Sequence, residues 1–88
     1  MKINLQVEYS NKPGEPKEVL CLASDMVKFE SQFNISIANL EKDLKITHLL
    51  FLAWASEVRT KATAKTFDEW VDEVEGISAS DDPKASKG

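Results

Sequence analysis

From Asp43 to Lys61 the chain reads DLKITHLLFLAWASEVRTK, and its apolar residues are too dense for one ordinary helix face. Ile46, Leu49, Leu50, Ala53, Trp54 and Val58 recur at helical spacing and form one continuous stripe. Phe51, Leu52 and Ala55 widen that stripe beyond a single side. A helix of this kind is either central to a domain or pressed against a second protein. With 88 residues the chain has room for one globular domain, and a domain that small buries only roughly 60% of its unfolded surface. The helix over 43–61 is therefore expected at the centre. Phe51 and Leu52, hard to bury within so small a domain, are candidates for a partner or subunit interface.

Around this helix the remaining elements are short. Ile3, Leu5, Val7 and Tyr9 alternate with Lys2, Asn4, Gln6 and Glu8, the pattern of a strand with one buried face. Pro13-Gly14 suits the two central positions of a type II turn, and Glu18 to Leu22 can return as a second strand, giving a hairpin over 2–22. A lone hairpin is marginal in water, so its apolar face must lie on helices. Ser24 or Asp25 can cap a helix over 25–33 carrying Met26, Phe29 and Phe33, with Asn34 as its stop. Ser36 can cap one further turn through Ile37 and Leu40. Thr66 and Glu69 have the spacing of a capping box at the start of a last helix over 66–75, with Phe67, Trp70, Val71 and Val74 inward and Gly76 as its stop. From Ser78 to Gly88 the composition turns polar and small, which predicts a disordered tail. The expectation is an α+β fold with a single domain over 1–77: an N-terminal hairpin packed on about three main helices, mostly helical.

Function classes fall away on the residues present. A formal net charge of −4 gives no basic footprint for nucleic acid, and the run Arg59, Lys61, Lys65 reads as a solvated helix end. No apolar run approaches the roughly 20 residues that span a bilayer. The single cysteine, Cys21, excludes an internal disulfide, fits a reducing compartment, and sits among Val19, Leu20 and Leu22 as a small buried hydrophobe. With His48 it supplies only two soft ligands, short of a structural zinc site. Glycines occur only at 14, 76 and 88, so no phosphate loop exists. The residues point away from catalysis, cofactors and metals, and toward binding of another protein.

Two features remain to carry that binding. One is the apolar run, from which Phe51, Leu52 and Trp54 are the candidates for contact or self-association. The other is the acidic last helix, where Asp68, Glu69, Asp72 and Glu73 are candidates for charge complementarity to a basic or amphipathic partner. A solvated face remains the plain alternative for the acids, and the domain core for the apolar run.

Three segments in order also carry a resemblance. An alternating first strand precedes Asp-x-x-x-Phe-Glu-x-x-Phe, here Asp25, Phe29, Glu30 and Phe33; Leu49, Phe51, Leu52, Ala53 and Trp54 follow; then Thr66, Phe67, Asp68, Glu69 and Trp70. From Lys2 to about Glu75 the chain resembles the small tail assembly chaperones of long-tailed bacteriophages, especially those infecting actinobacteria. The resemblance implies a non-enzymatic protein that coats the phage tape measure protein in the cytoplasm of the infected bacterium and is absent from the finished particle. It further implies a short form that a ribosomal frameshift near its end extends in a second product, while self-association is expected from the small size of the domain, which gains burial by oligomerising. The competing readings are a small acidic inhibitor or antitoxin-like protein and a structural component of the virion.

Overall fold

A computed structural model describes residues 3–36 and 45–80. Its elements run β1 (Ile3–Tyr9), β2 (Lys17–Cys21), α1 (Ala23–Phe33), α2 (Ile46–Arg59), α3 (Phe67–Val71) and β3 (Val74–Ser80). The strands form one antiparallel sheet in the order β2-β1-β3. Among the described residues the fold is a small α+β domain with three strands and three helices.

The hairpin expected at the N-terminus is present. Ile3 lies opposite Cys21, Leu5 opposite Val19 and Val7 opposite Lys17. The alternation therefore places Leu5, Val7, Val19 and Cys21 on one face, where all four are buried. The connecting turn is the expected one: Glu15 N–H donates to the Lys12 carbonyl at 3.2 Å, and Gly14 at the third position has φ +81°. A type II turn demands that positive φ, which glycine adopts without strain.

The first two helices begin and end for local reasons. In α1 the cap is Leu22, not Ser24 or Asp25, and the helix starts before the expected position 25. Asp25 instead reaches back from the first turn and accepts from the Leu22 N–H at 2.9 Å. Asn34 ends α1 in the left-handed conformation, φ 55°, with its N–H on the Glu30 carbonyl at 2.8 Å. The long helix occupies 46–59 of the expected 43–61, and residues 43 and 44 lie outside the described residues. It stops in a Schellman arrangement, where Lys61 turns left-handed and Ala62 N–H returns to the Glu57 carbonyl at 2.8 Å. The turn expected after Ser36 falls mostly on 37–40, outside the described residues.

At the C-terminal end the structure corrects the reading. The capping box forms, with Thr66 Oγ1 accepting from Glu69 N–H and Glu69 Oε1 from Thr66 N–H, each at 3.2 Å. The helix then ends at Val71 instead of running to 75, and Val74–Ser80 form β3. Val74 pairs with Tyr9, Ile77 with Val7 and Ala79 with Leu5. Gly76 is thus a strand residue and not a helix stop, and Ser78 to Ser80 belong to the sheet and not to a tail. The physical reason is competition between two placements of Val74. One more helical turn would set Asp72 and Glu73 against the negative end of the helix dipole, whereas pairing with β1 buries apolar side chains and satisfies the backbone.

Helix α2 packs against α1, α3 and all three strands. On the sheet side Leu52 is fully buried, and its carbonyl accepts from Cys21 Sγ at 3.3 Å. A helix enclosed this way needs the wide apolar surface seen in its sequence.

Candidate protein-binding surface

Phe51 is the hub of an aromatic cluster that joins the three helices. Its ring centroid lies 5.3 Å from Phe33, 5.6 Å from Trp54, 5.9 Å from Phe67 and 6.5 Å from Phe29. Trp54 and Phe67 meet edge to face at 5.7 Å. Such tilted and T-shaped pairs each add about 0.5–1.5 kcal/mol beyond the area they bury. Phe51 is 8% exposed and Leu52 0%.

This placement corrects the reading of Phe51 and Leu52 as surface residues left over for a partner. Both are used by the domain itself, because α1 and α3 flank the side of α2 that carries Phe51 while the sheet covers Leu52. Trp54 differs. It is half-buried at the rim of the cluster, and its Nε1–H donates to the Lys65 carbonyl at 2.9 Å. Phe33 and Phe67 are half-buried too, so the cluster reaches the surface along the line Phe33, Trp54, Phe67.

The acids of α3 start where that line ends. Asp68 and Glu69 follow Phe67 directly and are exposed, as is Asp72 one turn later. Glu69 serves first as the capping-box acceptor. Glu73 is half-buried and forms an ion pair with Lys65. The structure thus links Trp54 through its ring contact with Phe67 to the helix that carries the exposed Asp68 and Glu69, buries Phe51 and Leu52, and commits Glu73 to an ion pair with Lys65. An aromatic rim beside exposed carboxylates can receive an amphipathic helix carrying basic residues.

Sequence reading missed a second polar cluster. Glu57 is 5% exposed and accepts from Tyr9 Oη at 2.5 Å and from Lys17 Nζ at 2.9 Å, while Trp70 Nε1–H donates to Tyr9 Oη at 3.1 Å. Burial, reinforced by the Glu57 hydrogen bond, pushes the Tyr9 phenol well above its ordinary value. These side chains line a cavity of about 530 Å3 together with Lys65 and Glu73. Each of its two described ion pairs, Lys17 with Glu57 and Lys65 with Glu73, is internally neutral. The available signal was Glu57 itself, a charged residue on the stripe continued from Leu49, Leu50, Ala53 and Trp54. Arg59, read as part of a solvated basic run, is instead half-buried and paired with the buried Asp25.

Among the described residues no three His, Cys, Asp or Glu side chains are grouped to hold a metal ion, and no helix is long and apolar enough to cross a membrane. No protein-family model, curated protein or solved structure matches the chain.

Proposed function

We propose that this chain is a bacteriophage tail assembly chaperone that binds the tape measure protein and keeps it soluble during tail morphogenesis, in the cytoplasm of the infected host. The observation that carries the reading is the meeting of the three resemblance segments. Phe29 and Phe33 from the first, Phe51 and Trp54 from the second and Phe67 from the third form one contiguous aromatic cluster. The half-buried rim of that cluster lies beside the exposed acids Asp68, Glu69 and Asp72. A tape measure protein is long and helical, so a coat protein needs a small contact that can be repeated along it. Affinity then comes from many copies on one chain, with charge guiding encounter and register.

The test is co-expression with the tape measure protein of the same genome, followed by affinity capture and sizing. Recovery of several copies per tape measure chain, with that chain moved into the soluble fraction, is the expected result. The doubly reversed variant Asp68→Lys, Asp72→Lys should lose capture while keeping its circular dichroism. A tape measure protein that stays insoluble whether or not this chain is present overturns the reading.

A further inference from the structure

The two edges of the sheet are finished differently. Strand β2 follows Pro16, begins with the charged pair Lys17-Glu18, and has its Leu20 carbonyl occupied by Ser56 Oγ at 2.8 Å and Arg59 Nη2 at 3.2 Å. Those are recognised means of closing an edge against further pairing. Since Leu20 faces away from β1, the alternation of an antiparallel ladder turns Val19 and Cys21 toward β1, and Asn4, Gln6 and Glu8 of β1 toward β3. The bond from Ser10 N–H to the Glu73 carbonyl, 2.8 Å, continues that same alternation. Gly76, Ser78 and Ser80 therefore point their backbone groups at β1, and Ile77 and Ala79 point theirs outward.

Nothing among the described residues pairs with that outer side, since β3 neighbours only β1. Its sequence, VEGISAS, contains no proline or lysine. Its one charge, Glu75, sits at the irregular end near Glu8 and Tyr9 and accepts from Ser10 Oγ at 3.2 Å. The core also stops short at this edge. Leu5 and Val7 are 0% exposed, but their partners Ala79 and Ile77 on the same face are exposed and half-buried.

We propose that a second copy of this chain pairs with β3, antiparallel, to give one continuous six-stranded sheet with the helices of both copies on the same face. A two-fold axis perpendicular to the sheet keeps each face on its own side. Centred on Ile77 or on Ser78, the pairing sets Ile77 against Ile77 or against Ala79 on the helix-covered face. The other face then matches glycine and serine with serine, and no two Glu75 carboxylates meet. The choice of a second copy over an unrelated strand follows from closure. Once two β3 edges are joined, the edges left among the described strands are those of the two β2 strands, whose Leu20 carbonyls are already occupied, so the assembly ends at two. The inference does not depend on what the acidic end binds.

Light scattering coupled to size exclusion, run on the full chain over a wide concentration range, reads the outcome. The expected mass is twice the 9.8 kDa of one chain. Ala79→Pro removes an outward N–H without touching the β1–β3 ladder, and should return the mass to one chain with unchanged circular dichroism. Ala79→Lys places a charge on the edge without altering the backbone, and should weaken association in the same sense should the proline variant fail to fold. A single-chain mass at every concentration overturns the proposal. So does a dimer that survives both variants, since its interface would lie elsewhere.

Discussion

Arg59 grips Asp25 from the far end of α2, with Nη2 at 3.0 Å from Oδ2 and Nε at 3.1 Å from Oδ1. The carboxylate is 0% exposed and also accepts from the Leu22 N–H, so one side chain starts α1 and ties it to the end of α2. The guanidinium continues to the Leu20 carbonyl on β2. Its hydrogen bonds to Asp25 raise its pKa above the ordinary arginine value, keeping it charged at any working pH. Two residues thus lock β2, α1 and α2 together.

Removing one member of a buried pair leaves the other's desolvation uncompensated. Asp25→Ala is therefore expected to lose about 3 kcal/mol of unfolding free energy. Arg59→Lys should also destabilise, since lysine lacks the fork that spans both carboxylate oxygens and the Leu20 carbonyl. Urea denaturation of both variants beside the parent measures this. A midpoint within error of the parent for Asp25→Ala would show that the pair contributes nothing.

The Cys21 thiol is pushed up to about 12, chiefly by burial and secondarily by the Asp25 charge. Unfolded, it ionises near its ordinary value of 9.0, so between those two values the unfolded state binds fewer protons than the folded one. Stability from this group is complete below pH 9 and declines as pH rises toward 12, with a limiting slope of about 1.4 kcal/mol per pH unit. Tyr9, raised in the same direction, steepens the upper part of that decline. Melting temperatures across the alkaline range should fall less steeply for Cys21→Ala than for the parent. A parallel readout is labelling by a thiol reagent, which should be slow until denaturant is added.

Leu52 and Phe51 test whether the wide face of α2 is core. Leu52→Ala should cost roughly 3 kcal/mol, and Phe51→Ala roughly 3–4 kcal/mol, because each opens a cavity in a packed region. Calorimetry distinguishes this from a surface role, which would leave the melting temperature nearly unchanged.

His48 is 6% exposed, lies 5.1 Å from both Phe29 and Phe33, and finds no hydrogen-bond partner for its Nδ1 among the described residues. Replacing an unsatisfied buried polar atom by hydrocarbon removes a desolvation penalty of about 1 kcal/mol or more. His48→Leu should therefore match or exceed the parent in stability by urea denaturation. A loss of more than about 1 kcal/mol would mean that the imidazole is satisfied in solution.

Much of the fold was legible because its signals were local. The alternation of Ile3 to Tyr9, the Pro13-Gly14 turn, the Thr66–Glu69 box and the stop at Asn34 each act over a few residues. Of the residues the sequence offered for a surface, Asp68, Glu69 and Asp72 are exposed and Trp54 is half-buried, whereas Phe51 and Leu52 went to the core. Their spacing is compatible with either fate, since a helix position says which face a side chain is on and not how many layers will cover it.

The sequence by itself determined that a hairpin and a long, broadly apolar helix must pack together, because period-two and period-3.6 patterns bury their faces only in those conformations. Tertiary structure alone decided the fate of Val74 to Ser80. Val74 satisfies both the helical stripe of Phe67, Trp70 and Val71 and the alternation of a strand, so local periodicity does not arbitrate. The decision came from β1, more than sixty residues earlier in the chain, whose unpaired backbone edge and buried Leu5 and Val7 favoured a third strand. Separations of 34 and 48 residues likewise concealed the pairing of Asp25 with Arg59 and of Tyr9 with Glu57. Burial of a charge becomes favourable only when folding delivers its counterpart, and that delivery is a property of the assembled chain.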